Sequence, residues 1–308
     1  MKKYFLVAGV FSLFPMKGNG QSNGDIVERT LVVFPSYEEV KDISWYYDKD
    51  AYEHAVNDNS VSYEKITYYS EGLKVVAYFT SPKQKTKQKK PVIIFNRGSF
   101  VRNDIAYVHA PLFQKLVLEG FMVIAPALRQ SEGGEGKDEL GGNDLHDIMN
   151  LKPMLGKLPN VDRNNVFMLG ESRGGMMTYM VLKEGFHVRS AATIGAITDL
   201  EAYLADRPWD ENNLKNLWND YEQQKATILK NRSVMAWHDR INTPILILHG
   251  AKDPQVKTQH ALKLADAFSQ TGKSYELHIF SEGNHILSGP VTAQRDAMVI
   301  EWFRNFLE

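Results

Sequence analysis

Short apolar runs alternate with longer amphipathic segments along most of this chain. Each run has the length of a buried strand and precedes a segment of helical periodicity, the pattern of a βαβ unit. We predict strands at residues 91–95, 121–125, 165–169, 191–195, 244–248 and 275–280. We predict helices at residues 108–119, 143–157, 173–184, 257–271 and 290–307. The alternation predicts an α/β fold with a doubly wound, mostly parallel sheet.

Three segments lie outside this alternation. Residues 63–79 contain two alternating runs around a turn, which predicts an antiparallel hairpin at the start of the domain formed by residues 61–308. Residues 21–60 are polar and aromatic, and we expect this extension to pack on the domain as one or two helices. Residues 199–240 are helical in composition, and we expect a lid. Trp209 in this lid either lines a substrate pocket or packs the lid on the sheet.

A serine lies where a nucleophile would be expected. Residues 170–175 have the sequence Gly-Glu-Ser-Arg-Gly-Gly and stand between a predicted strand and a predicted helix. Strand, G-x-S-x-G and helix together are the context of a nucleophile elbow, a sharp turn in which flanking glycines avoid clashes with the neighbouring backbone. We therefore predict that Ser172 is a catalytic nucleophile.

An imidazole and an orienting carboxylate should follow, because a hydroxyl needs a base to remove its proton. In chains with this elbow the order is serine, acid, histidine. Asp253 follows the predicted strand 244–248, and His285 lies in the loop after the predicted strand 275–280. The chain has nine histidines, and only His285 lies in that loop. We predict a triad of Ser172, Asp253 and His285.

Two backbone N–H groups should bind the oxyanion that forms during acyl transfer. One is expected from Arg173, which follows the nucleophile, and the other from Gly98 or Ser99, which follow the predicted strand 91–95. Arg97 in the same loop is a candidate for attracting a substrate carboxylate. The alternative is that Arg97 is a solvated surface residue.

Several of these segments resemble the catalytic domain of the prolyl oligopeptidase family. The resemblance covers roughly residues 60–308, and its more specific marks are the doubled glycine after Ser172 and the glycine-rich arm 132–144, which ends in Gly-Gly-x-Asp. The family has an α/β-hydrolase fold and a Ser/Asp/His triad. The resemblance implies a serine hydrolase, with a peptidase acting on short peptides favoured and a carboxylesterase acting on small acyl or carbohydrate esters as the alternative. A non-catalytic binding protein is the least favoured interpretation.

Two departures from the family pattern bear on substrate choice. We expect a chain of 308 residues to lack the N-terminal β-propeller of large family members. The loop 97–99 is Arg-Gly-Ser, whereas large members commonly have an aromatic residue or histidine followed by two glycines. In the glycine-rich arm, Glu132 or Glu135 could bind a substrate amine. The alternative is that both glutamates belong to a solvated loop.

Composition and the N-terminus add expectations about partners and location. The formal net charge of −1 favours neither nucleic acid nor an anionic membrane as a partner. The chain has no cysteine and no clustered histidines, so we expect no disulfide, metal or cofactor. Residues 1–20 resemble a secretory signal peptide, which predicts cleavage before Gln21, export to the periplasm or medium, and no stable membrane anchor afterwards. The oligomeric state stays open.

Overall fold

A nine-stranded mixed sheet organises residues 21–84, 87–99 and 102–308, which the computed structural model describes. Residues 1–20, the predicted signal peptide, lie outside this range. The strands are β1 Ile26–Leu31, β2 Val61–Ser70, β3 Leu73–Pro82, β4 Lys90–Asn96, β5 Met122–Pro126, β6 Val161–Glu171, β7 Ala191–Ile194, β8 Ile245–Gly250 and β9 Tyr275–Phe280. Their order across the sheet is β1-β2-β3-β5-β4-β6-β7-β8-β9.

The sheet is antiparallel at one edge and parallel elsewhere. The pairs β1–β2, β2–β3 and β3–β5 are antiparallel, and every pair from β5 through β4 to β9 is parallel. The predicted α/β fold with a mostly parallel sheet is confirmed. The carboxyl ends of β4, β6, β7, β8 and β9 therefore meet along one edge, where open α/β sheets bind their ligands.

Helices cover both faces of the sheet, as repeated βαβ units require. They are α1 Lys49–Val56, α2 Ile105–Val108, α3 Ala110–Leu118, α4 Leu145–Met149, α5 Leu151–Leu155, α6 Arg173–Lys183, α7 Leu200–Asp206, α8 Pro208–Lys215, α9 Tyr221–Arg232, α10 Gln259–Gln270 and α11 Thr292–Arg304. One hydrophobic core joins α4, α5, α6 and α10 to the sheet, and a second core joins α3 and α11 to the opposite face. No helix in the described ranges is long and apolar enough to cross a membrane.

Two predicted helices differ from the observed ones at a short break. The predicted helix 108–119 corresponds to α3, which begins at Ala110 with a proline in its first turn, and a break at His109 separates it from the preceding short helix α2. Residues 143–157 form α4 and α5 with a break at Asn150. Pro153 explains this second break, because proline has no N–H to donate to the carbonyl four residues earlier.

The N-terminal extension contributes a strand that we did not predict. We expected only helices in residues 21–60, whereas β1 forms the edge of the sheet and α1 follows it after two short 3-10 turns. Five of the six residues of β1 are exposed, so its sequence carries no alternation that would reveal a strand. The pairing with β2 decides its conformation.

The lid segment, residues 199–240, lies between β7 and β8. It consists of α7, α8 and α9 followed by two 3-10 turns. Leu200, Leu204 and Leu214 of this segment are buried and belong to the core on the α6 face. The segment is thus packed onto the carboxyl edge of the sheet rather than extended into solvent.

Candidate active site

Ser172 occupies the sharp turn between β6 and α6, with backbone angles of φ 54° and ψ −120°. Residues other than glycine rarely adopt this region, and the conformation persists only where its surroundings hold it. The Ser172 N–H donates to the carbonyl of Ile194 at the end of β7, at 2.8 Å. A Cβ at Gly174 would collide with the carbonyl oxygen of Asn96, so β4 and α6 approach this closely only because glycine is present.

Three predicted residues from separate elements form one hydrogen-bonded chain. His285 Nε2 lies 2.9 Å from Ser172 Oγ, and His285 Nδ1 lies 2.7 Å from Asp253 Oδ2. An ionised carboxylate only accepts hydrogen bonds, so it selects the tautomer in which Nδ1 carries the proton. The lone pair of Nε2 then faces the serine hydroxyl. This arrangement can deprotonate Ser172 and stabilise the imidazolium that results.

The surroundings of Asp253 keep its carboxylate ionised. Burial would raise the pKa of Asp253, but hydrogen bonds from His249 and His285 lower it, and the net pKa is far below the usual range. The second oxygen, Oδ1, accepts from the N–H groups of Gln255 at 2.8 Å and Val256 at 2.9 Å. An acid held in this way orients His285 without competing for its proton.

The backbone groups predicted for an oxyanion hole lie beside the serine. Gly98, Ser99 and Arg173 all line the same cavity as Ser172. Arg173 is the first residue of α6, so its N–H has no acceptor within the helix. Neither the Arg173 nor the Ser99 N–H donates to a protein acceptor in the described part of the chain. A Cβ at Gly98 would lie 3.1 Å from Ser172 Cβ, so this loop passes very close to the nucleophile.

Arg97 does not line the cleft, which corrects its prediction as a substrate-binding residue. Its side chain is 1% exposed. Arg97 Nη1 donates to the carbonyls of Gly98 and Ser99, each at 3.0 Å, and Nε and Nη2 donate to the carbonyl of Ala127. A strand-end arginine was expected to point into solvent, but the loop folds back over it. Arg97 therefore shapes the loop that carries the predicted oxyanion donors.

Arg173 joins the same network from the other side. Its guanidinium forms a two-point ion pair with Asp138, at 2.7 and 2.8 Å, and contacts Asp144 at 2.8 Å. Its Nη1 also donates to the carbonyl of Ser99 at 3.1 Å. Asp138 and Asp144 belong to the glycine-rich arm, so this arm acts through buried ion pairs that support the nucleophile and the oxyanion loop.

Glu132 and Glu135 lie away from the cleft, which corrects their prediction as substrate contacts. Both line a separate depression over β2 and β3. Glu135 accepts from the Lys74 N–H at 2.8 Å, and Glu132 accepts from the Ile105 N–H at 3.3 Å. The glycine-rich arm packs against the antiparallel end of the sheet. Both carboxylates therefore lie over β2 and β3, away from the strands β7 and β8 on the other side of Ser172.

Trp209 also lies outside the cleft, which corrects its prediction as a pocket residue. Its side chain is 60% exposed. The guanidinium of Arg207 lies 5.1 Å from the centre of the Trp209 ring. Other residues of the lid segment line the cavity instead, namely Leu200, Tyr203, Leu204, Arg207, Asp210, Asn213 and Leu214.

The cavity at Ser172 has a volume of about 450 Å³. One part is apolar and is lined by Leu140, Ile197, Leu200, Leu204 and Leu214. Another part is polar and aromatic, and is lined by Asp42, Trp45, Tyr46, Arg102 and Glu171. None of these five polar-part residues was predicted to belong to the site. The sequence signal that could have indicated Trp45 and Tyr46 is that two aromatic residues stand next to each other in a largely polar extension.

In residues 21–84, 87–99 and 102–308, no group of three or more histidine or acidic side chains is arranged to hold a metal ion. The groups at the cleft are those of acyl transfer: a hydroxyl, an imidazole, a carboxylate and free backbone donors.

Comparisons with known proteins agree with this chemistry. The chain is 24% identical to "Uncharacterized peptidase YtmA" of Bacillus subtilis, over 78% of this chain and 92% of that protein. The acylaminoacyl peptidase of Pyrococcus horikoshii is similar in structure, with a TM-score of 0.67 and 18% identity over 85% of this chain and 44% of its own. Acetyl xylan esterase 1 from Thermoanaerobacterium gives a TM-score of 0.60 with 13% identity, over 85% of this chain and 94% of its own.

The two solved structures show a shared fold, and this chain spans less than half of the acylaminoacyl peptidase. The family follows from the sequence profile instead. Residues 112–308, well over half of the chain, match the profile described as "Prolyl oligopeptidase family". The resemblance that we inferred from the motifs is therefore confirmed. The chain belongs to the prolyl oligopeptidase family, has an α/β-hydrolase fold, and is a serine hydrolase of the peptidase or esterase kind.

Proposed function

We propose that this chain hydrolyses short peptides through an acyl-enzyme intermediate on Ser172. The observation that carries the proposal is the chain of hydrogen bonds at 2.9 and 2.7 Å that joins Ser172, His285 and Asp253 at a cavity of about 450 Å³. Each member has a defined role. Ser172 is the nucleophile, His285 transfers the proton, and Asp253 orients His285.

The reaction begins when His285 Nε2 removes the hydroxyl proton and Ser172 Oγ bonds to the substrate carbonyl carbon. The N–H groups of Arg173 and of Gly98 or Ser99 bind the oxyanion. His285 then gives the proton to the leaving amine or alcohol, the bond to that group breaks, and the acyl-enzyme remains. A water molecule repeats the sequence with His285 as base, which releases the acid and restores the serine.

Family membership supports peptides as the substrates, and the cavity supports a small size. A volume of about 450 Å³ holds a few residues rather than a folded protein. A carboxylesterase acting on small acyl or carbohydrate esters is the second candidate. The similarity of the fold to an acetyl xylan esterase, over 94% of that chain, favours it.

The predicted signal peptide supports a place outside the cytoplasm, in the periplasm or the medium. Fractionation of cells that express the full chain tests this, with N-terminal sequencing of the mature protein. Export with a new N-terminus at Gln21 is expected. Retention of Met1 on a cytoplasmic protein would contradict it.

A paired substrate panel tests the chemistry. The wild type and Ser172→Ala are assayed with p-nitrophenyl esters and aminoacyl-p-nitroanilides, and labelled with a fluorophosphonate probe. We expect anilide hydrolysis and labelling in the wild type only. Hydrolysis of esters alone would favour the esterase, labelling of the alanine variant would exclude Ser172, and silence in every assay would restore the binding-protein interpretation.

A further inference from the structure

Glu171 is a buried carboxylate beside the nucleophile to which the sequence assigned no role. It is the last residue of β6, it is 4% exposed, and it lines the cavity at Ser172. Within the described ranges, its carboxylate makes no hydrogen bond and no ion pair. A buried carboxylate without a donor is energetically unfavourable. A bound ligand could therefore supply the hydrogen-bond donor that the Glu171 carboxylate lacks.

The basic residues of the cavity already have acidic partners. Arg102 pairs with Asp104 at 2.7 Å, and Arg207 pairs with Asp210 at 2.8 Å. Arg173 pairs with two aspartates of the glycine-rich arm. Of the acidic residues that line the cavity, Asp42 and Glu171 have no basic partner in the described part of the chain. The uncompensated charge that faces the cavity is thus negative.

The direction of the Glu171 side chain shows which half of the substrate it would meet. A Cβ at Gly170 would collide with Thr178 of α6, and successive strand residues point to opposite faces, so Glu171 points towards the α3 and α11 face. The apolar leucines of the cavity belong to the other core, on the α6 face. The cavity is therefore apolar on the α6 side of Ser172 and acidic on the α11 side.

The acidic side is also the side of the His285 loop. Arg295 of α11 donates to the carbonyl of Ile286 at 2.9 Å and to Tyr47 Oη at 3.0 Å, which joins the loop to the extension. Asn284, Ile286 and Tyr46 line the same cavity as Glu171. His285 is the residue that gives its proton to the leaving group. The leaving-group half of a substrate therefore lies against this wall.

We propose that Glu171 binds a positively charged group, a primary ammonium or a guanidinium, in the leaving-group half of the substrate. This inference rests on the proposed function, because it needs Ser172 to be acylated. In a peptide, the charge would come from lysine or arginine directly after the scissile bond. In an ester, it would come from an amino alcohol. The ring of Trp45 lines the same cavity and is exposed, so it is available for cation–π attraction to either source, whereas the ring of Tyr46 already faces Arg102.

The electrostatic surroundings of Glu171 fit this role. Burial raises the pKa of Glu171, and Arg295, His285 and Arg102 offset only part of that rise. Arg295 is occupied by Asp296, at 2.7 Å, and Arg102 by Asp104. A bound ammonium would supply the direct partner that neither arginine provides.

Two substrate pairs measure the preference. One pair consists of peptides that differ only after the scissile bond, with lysine against norleucine, and the other compares 2-aminoethyl with propyl esters. We expect the wild type to favour the charged member of a pair by about ten- to hundredfold in kcat/KM, because a hydrogen-bonded charge pair is lost with the neutral one. Whichever pair shows the preference identifies the source of the charge.

Glu171→Gln should bring that ratio close to one while hydrolysis of the neutral member continues. Glu135→Gln is the matched control, since Glu135 lies outside the cleft, and it should keep the wild-type ratio. Equal rates on both members in the wild type would overturn the inference and leave the hydrolase intact. This result stands even where Glu171→Gln fails to fold.

Peptide binding to the inactive variant Ser172→Ala tests recognition of the cation separately from hydrolysis. Calorimetry should show tighter binding of the lysine peptide than of the norleucine peptide, and loss of the difference when Glu171→Gln is added. Equal affinities, or no binding of either peptide, would overturn cation recognition. Absence of turnover in the wild type would instead count against the proposed function.

Discussion

His249 Nε2 lies 3.3 Å from Asp253 Oδ2, the same carboxylate oxygen that His285 contacts through Nδ1 at 2.7 Å. His249 Nε2 also contacts the carbonyl of Val256 at 2.8 Å, and His249 itself is 1% exposed. His249 therefore supports the acid of the triad from behind, as a positioning residue. It helps to keep the pKa of Asp253 below the usual range.

We predict that His249→Phe lowers kcat about tenfold and leaves KM nearly unchanged. The reason is the loss of one hydrogen bond to a charged group, about 1.5 kcal/mol, from the residue that orients His285. Steady-state kinetics on one substrate measure both constants. His260→Phe is the control, because His260 is a buried histidine that contacts Thr198 and not Asp253. A change confined to KM would contradict the positioning role.

The backbone strain at Ser172 predicts an order of stability among variants. At φ 54° and ψ −120°, glycine is relaxed and alanine is not. We expect Ser172→Gly to be more stable than Ser172→Ala by about 1 kcal/mol. Glycine ordinarily has the opposite effect, because it raises the conformational entropy of the unfolded chain. Urea unfolding of the two inactive variants measures the difference. If alanine were equally stable, the elbow would not be strained.

The ionisation of Asp138 should make the free energy of unfolding depend on pH. Burial would raise the pKa of Asp138, but Arg173 lowers it, and the net pKa lies below that of the unfolded chain, about 3.9. Its ionised form therefore stabilises the fold above about pH 4, and this contribution is lost as pH falls through the lower folded pKa. We expect Asp138→Asn to lose about 3–5 kcal/mol at pH 7, since it breaks a buried ion pair.

The difference in unfolding free energy between wild type and Asp138→Asn should narrow as the pH falls below about 4. Chemical unfolding at a series of pH values measures it. Asp239→Asn is a suitable control because Asp239 is exposed and its carboxylate makes no hydrogen bond or ion pair in the described part of the chain. A difference that stays constant with pH would show that the Asp138 charge is not what stabilises the network.

The lid segment predicts a contrast between two of its apolar residues. Leu204 lines the cavity, whereas Trp209 is 60% exposed outside it. We expect Leu204→Ala to reduce kcat/KM about tenfold for substrates with large apolar acyl groups, because a pocket contact is lost. Trp209→Ala should leave those values unchanged. A larger effect at Trp209 than at Leu204 would contradict the placement of Trp209 outside the cavity.

Much of the fold and the core of the site follow from local sequence. Continuous apolar runs fall on β4 to β8, because a strand buried on both faces has a continuous apolar signal. The elbow is equally local, since a strand, a glycine-flanked serine and a helix are contiguous in the chain. The chain order of acid and histidine then indicates Asp253 and His285, which the structure brings to Ser172.

Tertiary structure alone decided which charged side chains face the cleft. Arg97 turns inward to the carbonyls of its own loop, and Glu132 and Glu135 follow the arm to the antiparallel end of the sheet. The direction of Glu171 depends on strand register, because a shift of one residue would reverse every side chain of β6. Edge strand β1 likewise depends on its partner β2. Such features arise from contacts between residues far apart in the chain, and short-range sequence patterns do not encode them.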